Sequence, residues 1–400
     1  MKIAKLSQEL IDQIAAGEIV ERPASVVKEL LENAIDAGAN KIAVKVLEGG
    51  SKLIIVSDNG AGIQKDELVL AIENHTTSKI STHEDLQNCD SHGFRGEALA
   101  AIASVANVKI RSKVHNSENG FELVKTVGDW DVFLSPGHNG TDIFVEDLFH
   151  NVPARKRFLK NNTTEFKHCQ SVFTQLSLVY PGIEFSLFHQ GREAMLLKKS
   201  SELGRFAEIF ELKKEQVKVT TKQFEDLKIK LFISTNQEAS KKVPFFVYVN
   251  NRPIKNSTVS YAIKNAFRNR VHELHKPYLL IFITIPNHHI NFNVHPNKKE
   301  VQFKQNNTLY RAVYSVICDS LSSNDLRERR NELVFSNSKL GYSNKAETKH
   351  GVDLNSLTEN HLLPKLEQVF SNPLSLEGSN ENSVEYELGY PIGQLNDTYI

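Results

Sequence analysis

The sequence predicts a mixed helix-and-strand protein of two globular domains followed by a polar tail. Three observations carry that reading. The chain has 400 residues, more than one ordinary domain holds. Its 40% hydrophobic and 24% charged content is the balance of a soluble folded chain. Up to about residue 330, apolar residues recur either at every second position or at helical spacing; from about 331 to 385 they give way to Asn, Ser, Glu, Lys and Gly, the composition of a flexible linker.

Met1 to Arg22 is amphipathic, and Glu9, Asp12 and Glu18 interrupt it, so it lacks the apolar core of a secretory signal. The first strong element is Pro23 to Gly38. Pro23 suits a first helical turn, Val27, Leu30, Leu31 and Ala34 fall at i, i+3, i+4 and i+7, and Gly38 can end the helix. Its other face carries Glu29, Glu32, Asn33 and Asp36; taken alone, this is most economically an exposed polar face. Strand-like Ile42-Val44-Val46 and Leu53 to Val56 follow.

The loop Asp58-Asn-Gly-Ala-Gly-Ile63 comes next, before a helical stretch from Lys65 to Asn74. Gly60 and Gly62 permit close backbone approach to a ligand, and a carboxylate beside them can accept a hydrogen bond from an amine such as adenine N6. A tight helix-entry turn would use the same residues. The polar segment Thr76 to Ser91 is long enough for a lid. Then His92-Gly-Phe-Arg-Gly-Glu-Ala-Leu99 opens the helical segment Ala98 to Val105, whose free amides and dipole suit phosphates. Gly140-Thr141 starts a strand that runs through Ile143 and Val145 to Glu146.

A second apolar block spans about 205 to 330. Lys228 to Ser234, Pro244 to Asn250 and Tyr278 to Pro286 read as strands, and Ser257 to Asn269 and Thr308 to Leu321 as helices. His295-Pro-Asn-Lys-Lys-Glu300 follows strand-like Ile290 to Val294, and reads alone as a charged turn. Residues 241 to 330 hold 15 Lys and Arg against 5 Asp and Glu; with zero net charge overall, the remainder sums to −10. A basic second half beside an acidic first half suits a polyanion partner. The last stretch, Tyr386 to Ile400, regains apolar character and breaks off within what reads as a new element, as a fragment would.

Several classes are excluded. Cys89, Cys169 and Cys318 form no C-x-x-C pair, so neither a zinc site nor a disulfide framework is indicated, and a cytoplasmic setting fits. The longest apolar run, Tyr278 to Ile285, is far short of the roughly 20 residues that span a bilayer. No Gly-Lys dipeptide occurs, so an ATP site of the phosphate-loop kind is absent.

In this order, Glu29-x-x-x-Asn33, Asp58-x-Gly60-x-Gly62, Gly93-Phe-Arg-Gly96 and Gly140-Thr141 resemble the ATP-binding motifs of the GHKL family, which contains gyrase B, heat-shock chaperones and histidine kinases. Within it, Ile14 to Pro23, Lys28-Glu-Leu-Leu-Glu-Asn33, Asp36-Ala-Gly-Ala39, Gly93 to Leu99, Asn151-Val-Pro-Ala-Arg155 and Val294-His-Pro296 are similar to the DNA mismatch-repair branch over roughly residues 1 to 330.

The resemblance implies class α+β: a Bergerat-type ATPase sandwich over 1–200 with a dimerisation arm at 1–20, then a transducer and DNA-binding domain like ribosomal protein S5 domain 2 over 205–330. The linker at 331–385 would lead into the start of a C-terminal dimerisation domain at 386–400. It implies ATP and Mg²⁺ as cofactors, with Glu29 as general base, Asn33 as the Mg²⁺ ligand and Lys298 approaching the γ-phosphate. Asp58 would read the adenine amine, with Gly60, Gly62 and Thr141 around the base. Thr77 and the main chain of Phe94, Arg95, Gly96, Glu97, Ala98 and Leu99 would close over the phosphates.

Further implications are slow ATP hydrolysis, ATP-driven homodimerisation, and a clamp that binds single- and double-stranded DNA without sequence preference. Arg252, Lys255, Lys264, Arg268 and Arg270 are the candidates for the DNA groove. Other partners implied are the mismatch-recognition protein MutS and a downstream nicking endonuclease and helicase. Asn251, Asn74 and Asn297 depart from residues usual in the branch, and Asn251, in place of a glycine before Arg252, bears on a turn in the DNA-facing region.

Overall fold

The computed structural model describes residues 16–17, 19–74, 76–77, 96–239, 245–268, 270–271, 275–286, 289–291, 302–303, 306–322, 394–395 and 398–399. The chain divides into two compact units, Met1–Lys339 and Leu340–Ile400.

Helix α1 (Pro23–Asp36) begins with proline in its first turn and buries Val26, Val27, Leu30, Leu31 and Ala34. Each of the valines and leucines contributes about 1.5–3 kcal/mol for full burial. The helix stops where the Gly38 amide bonds the Ile35 carbonyl and the Ala39 amide bonds the Ala34 carbonyl, a Schellman ending. Strands β1 (Lys41–Leu47) and β2 (Leu53–Asp58) follow as an antiparallel pair, with Val44 opposite Val56.

Residues 65–74, expected to be helical, form two separate 3₁₀ turns, Lys65–Glu67 and Leu70–Ile72. Only Leu68 and Ile72 are buried there. One inward pair does not offset the cost of nucleating a regular helix.

Helix α2 (Ala98–Val105) leads into strands β3 (Asn107–Lys113), β4 (Gly120–Thr126), β5 (Asp129–Ser135) and β6 (Gly140–Glu146). After the short helix α3 (Pro153–Phe158), helix α4 (Asn162–Val179) is capped by the Asn161 side chain, which accepts from the Thr164 amide. Strands β7 (Glu184–His189) and β8 (Arg192–Leu197) complete an eight-stranded sheet ordered β5-β4-β3-β6-β2-β1-β7-β8. Its pairs are antiparallel except β1 with β7. One core joins the sheet to α1, α2 and α4.

Helix α5 (Glu202–Ile209) connects to a second sheet of β9 (Val217–Phe224), β10 (Leu227–Ala239), β11 (Phe245–Val249), β12 (Arg252–Pro253) and, after helix α6 (Ser257–Phe267), β13 (His275–Thr284). Its order is β12-β11-β13-β10-β9. Strands β11 and β13 are parallel, so the chain must cross over between them, and α6 makes that crossing. The pair β14 (Ile290–Asn291) and β15 (Gln302–Phe303) precedes helix α7 (Asn306–Leu321). Helices α6 and α7 bury their apolar sides on one face of this sheet. Phe232, Tyr248 and Leu280 on the other face pack with Leu178 of α4 and Phe206 of α5.

Asn250 and Asn251 form the two-residue β11–β12 turn with φ of 47° and 65°. That is the conformation for which Asn and Gly are chosen, so Asn251 keeps the turn a glycine would make. In the other unit, β16 (Gln394–Leu395) pairs with β17 (Thr398–Tyr399). Among the described residues no helix is long and apolar enough to cross a membrane.

Candidate functional site

Strand register builds the floor of the site. Asp58 ends β2 opposite Thr141 of β6, and Thr141 lies opposite Ser112 of β3. The Ser112 and Thr141 hydroxyls are 2.9 Å apart. Ser112 Oγ also donates to the Gly140 carbonyl at 3.0 Å and accepts from the Ile63 amide at 2.8 Å. The loop after β2 is thereby tied to two strands. Gly140 has a φ of +117°, and a Cβ there would sit 2.1 Å from the Asp58 carbonyl oxygen; only glycine lets the strands close at this point.

Asp58 is 7% exposed, and its Oδ1 accepts from the Gly60 amide at 2.8 Å. Burial pushes its carboxyl up to about 6, although the Gly60 and Thr141 amides pull it back. A carboxylate held this way can take one further donor from the cavity side.

Helix α1 forms one wall. Lys28 reaches both Glu29, at 2.9 Å, and Glu32, at 3.0 Å. Burial works against the Lys28 ammonium, but the two carboxylates outweigh it and hold its pKa above the usual range. Burial is also the largest influence on Glu32 and raises its carboxyl, with Lys28 opposing. Glu29, one residue from Lys28, keeps its side chain partly open, the condition for a carboxylate that must meet water.

At the rim, Gly96 has a φ of +61°, and a Cβ on it would lie 2.1 Å from the Thr76 carbonyl oxygen. The start of α2 is therefore pressed against residues 76–77. The Thr76 hydroxyl donates to the carbonyls of Leu70 and Glu73, which anchors this edge to the second 3₁₀ turn.

Glu29, Asn33, Asp58, Gly62, Thr77, Gly96, Glu97, Ala98, Leu99 and Thr141 all line one cavity of about 1400 Å³. Gly60 stands behind Asp58, its amide on the carboxylate. Phe94, Arg95 and Lys298 lie outside the described residues. Of the basic candidates, Arg252 and Lys255 line this same cavity, opposite α1. Arg252 joins the electrostatic surroundings of Tyr180, whose phenol burial pushes up to about 12, with Asp36 and Glu32 raising it further and Arg252 opposing them. Lys264, Arg268 and Arg270 are exposed at and beyond the end of α6, away from the cavity lining.

Ser112 and Lys28 are site residues that motif reasoning missed. Ser112 had a signal: it follows Val108 and Ile110 at every second position of β3, a hydroxyl where an inward apolar residue is expected.

Residues 21–132 match the family model for histidine kinase-, DNA gyrase B- and HSP90-like ATPases, and residues 208–322 match the C-terminal domain of DNA mismatch repair proteins. The DNA mismatch repair protein MutL of Dictyoglomus turgidum is 36% identical over 100% of this chain and 69% of its own length. That of Thiobacillus denitrificans is 38% identical over 79% of this chain and 54% of its own length. Among solved structures, the Aquifex aeolicus MutL ATPase domain complexed with ADP matches with a TM-score of 0.51 at 29% identity, covering 67% of this chain and 94% of that one. The B-subunit of DNA gyrase from Myxococcus xanthus shares the fold, with a TM-score of 0.53 at 9% identity over 80% of this chain and 98% of that one.

Proposed function

Since the chain belongs to the MutL family of DNA mismatch repair proteins, we propose that it is an ATP-driven molecular switch that links mismatch recognition to strand nicking and excision. The observation that carries this reading is the convergence on one cavity of Glu29 and Asn33, Asp58, Gly96 to Leu99, and Thr141, from four separate stretches of sequence.

In this reading Glu29 orients the attacking water and takes its proton. Asp58, held by the Gly60 amide, accepts from the adenine amine, Gly62 gives the ring room, and Thr141 lines it. Thr77 and the main chain of Phe94 to Leu99 close over the phosphates, and Lys298 meets the γ-phosphate. Among the described residues no three His, Cys, Asp or Glu side chains converge as a metal cage. A single amide oxygen from Asn33 beside the phosphates suits Mg²⁺, which retains water and takes phosphate oxygens. When bound, it would offset charge developing on the phosphates.

Residues 1–200 would be the ATPase domain, with the arm at 1–20 ordered by ATP so that two such domains join in a homodimer. Residues 205–330 would transduce nucleotide state to DNA bound without sequence preference through phosphate contacts; 331–385 would be a linker and 386–400 the start of the C-terminal dimerisation domain. MutS, a nicking endonuclease and a helicase are the further partners, in the cytoplasm. The placement of Arg252 and Lys255 favours a split among the basic residues: these two face the nucleotide cavity, and Lys264, Arg268 and Arg270 remain for DNA.

ATP hydrolysis by the purified chain, with and without single-stranded DNA, tests the proposal alongside its mass with a non-hydrolysable analogue. Slow turnover raised by DNA, with dimers only in the analogue, is expected. Absence of both turnover and nucleotide-dependent assembly would leave a DNA-binding scaffold in its place.

A further inference from the structure

The outer surface of α6 and α7 carries a row of tyrosines that ends in exposed Tyr261. Tyr261 and Tyr310 have ring centres 5.8 Å apart, and Tyr310 stacks with Tyr314 at 5.9 Å and 14° between planes. The Arg270 guanidinium lies 5.6 Å above the Tyr314 ring and donates to its hydroxyl at 3.3 Å. Asn265 donates to the Tyr310 hydroxyl at 3.0 Å. Both inner rings are thus held in fixed orientation by polar partners. Tyr310 and Tyr314 rest their inner edges on the core beneath, but Tyr261 is 56% exposed. The same helices satisfy their apolar needs elsewhere, through Val259, Ile263, Val313 and Ile317.

Charge around the row is one-sided. Lys264, Arg268, Arg270 and Arg311 are exposed, and no Asp or Glu occurs between residues 254 and 271. Asp319, further along α7, is engaged by Lys222.

Resting on the proposal that this domain binds DNA, we infer that Tyr261, backed by Tyr310 and Tyr314, is the exposed ring of a stacking platform for an unpaired base of single-stranded DNA, with Lys264, Arg268 and Arg311 on the phosphates. In a duplex the base faces are already covered by their neighbours, so an exposed ring selects for unpaired bases. A row bordered by cations and, among the described residues, with no unpaired carboxylate on it fits a polyanion rather than an apolar protein surface.

The test uses the full chain, a fluorescein-labelled oligothymidylate and a duplex of equal length, with binding read by anisotropy over a salt series. Tyr261→Ala, an exposed position whose folding is checked by thermal melting, is expected to weaken oligothymidylate binding roughly 10-fold and duplex binding less than about 2-fold, with the salt slope unchanged. The pair Lys264→Gln and Arg268→Gln is expected to weaken both DNAs and flatten the slope. Equal binding of oligothymidylate by Tyr261→Ala and wild type, or an equal loss on both DNAs, overturns the platform while leaving DNA binding intact. No binding of either DNA by the wild-type chain overturns the DNA reading, and the platform with it.

Discussion

At the floor of the cavity, Asp58, Thr141 and Ser112 sit in one row across β2, β6 and β3; at the rim, Thr76 and Gly96 meet as the ends of two irregular stretches. The floor gets its shape from sheet register, which cannot slip by one residue without turning every side chain over. The rim gets its shape from a single close approach of backbone. Such a division suits a site that must recognise one ligand in a constant way yet alter its surroundings when the ligand changes: shape recognition belongs on the sheet, response on the loop ends.

The division can be broken most severely at Glu29, on the wall between the two. Glu29→Ala is expected to lower ATP turnover about 10²- to 10⁴-fold, the range for losing a general base, with nucleotide binding retained. Loss of binding in parallel, read by fluorescent-ATP titration, would mean that wall and floor are not separable.

A pair of glycine substitutions sharpens the contrast. Both Gly140→Ala and Gly96→Ala would drive a methyl to 2.1 Å from a carbonyl oxygen at positive φ. In the floor the sheet cannot move aside, and a loss of about 3 kcal/mol in unfolding free energy is expected. At the rim residues 76–77 can yield, so Gly96→Ala should melt within a few degrees of wild type and lose nucleotide affinity instead. Calorimetry together with titration separates the two; equal melting losses would refute the difference in rigidity.

The smallest effect is one of pH. The folded Asp58 carboxyl, at about 6 against 3.8, holds its proton more tightly than in the unfolded chain. Its contribution to stability is therefore full below about pH 4 and is lost as pH rises through 6. An ionised carboxylate accepts from an amine more strongly than a protonated one, so nucleotide affinity should move the other way, rising roughly 10-fold through pH 6, the worth of a hydrogen bond to a charged group. Asp58→Asn should flatten both curves, and a binding curve that keeps its rise in this variant would assign the titration to another group.

Much of the wall and floor was legible in sequence because it is local. Helix α1 was written in the spacing of Val27, Leu30, Leu31 and Ala34, and the turn after β2 in its two glycines. Ser112 was not, since its meaning depends on Thr141, 29 residues away. Arg252 and Lys255 read as part of a basic region on composition, and only the fold shows them lining the cavity, after the turn at Asn250–Asn251. Strands β5 and β9 left little trace because each lies at a sheet edge, where exposed positions take polar residues and the alternation blurs.

Helix α4 has a mechanical consequence. With 18 residues it is a strut of roughly 27 Å, and its side chains His168, Ser171 and Gln175 face the cavity. In its last turns the Gln175 carbonyl also accepts from the Tyr248 hydroxyl of the second sheet at 2.8 Å, and buried Arg205 clasps the carbonyls of Ser177, Pro181, Ile183 and Lys198. A stiff rod pinned at one end to a neighbouring body bends very little. Because Gln175 both lines the cavity and holds Tyr248, which lines it too, a displacement of this turn of α4 would reach the second sheet directly, with no intervening element.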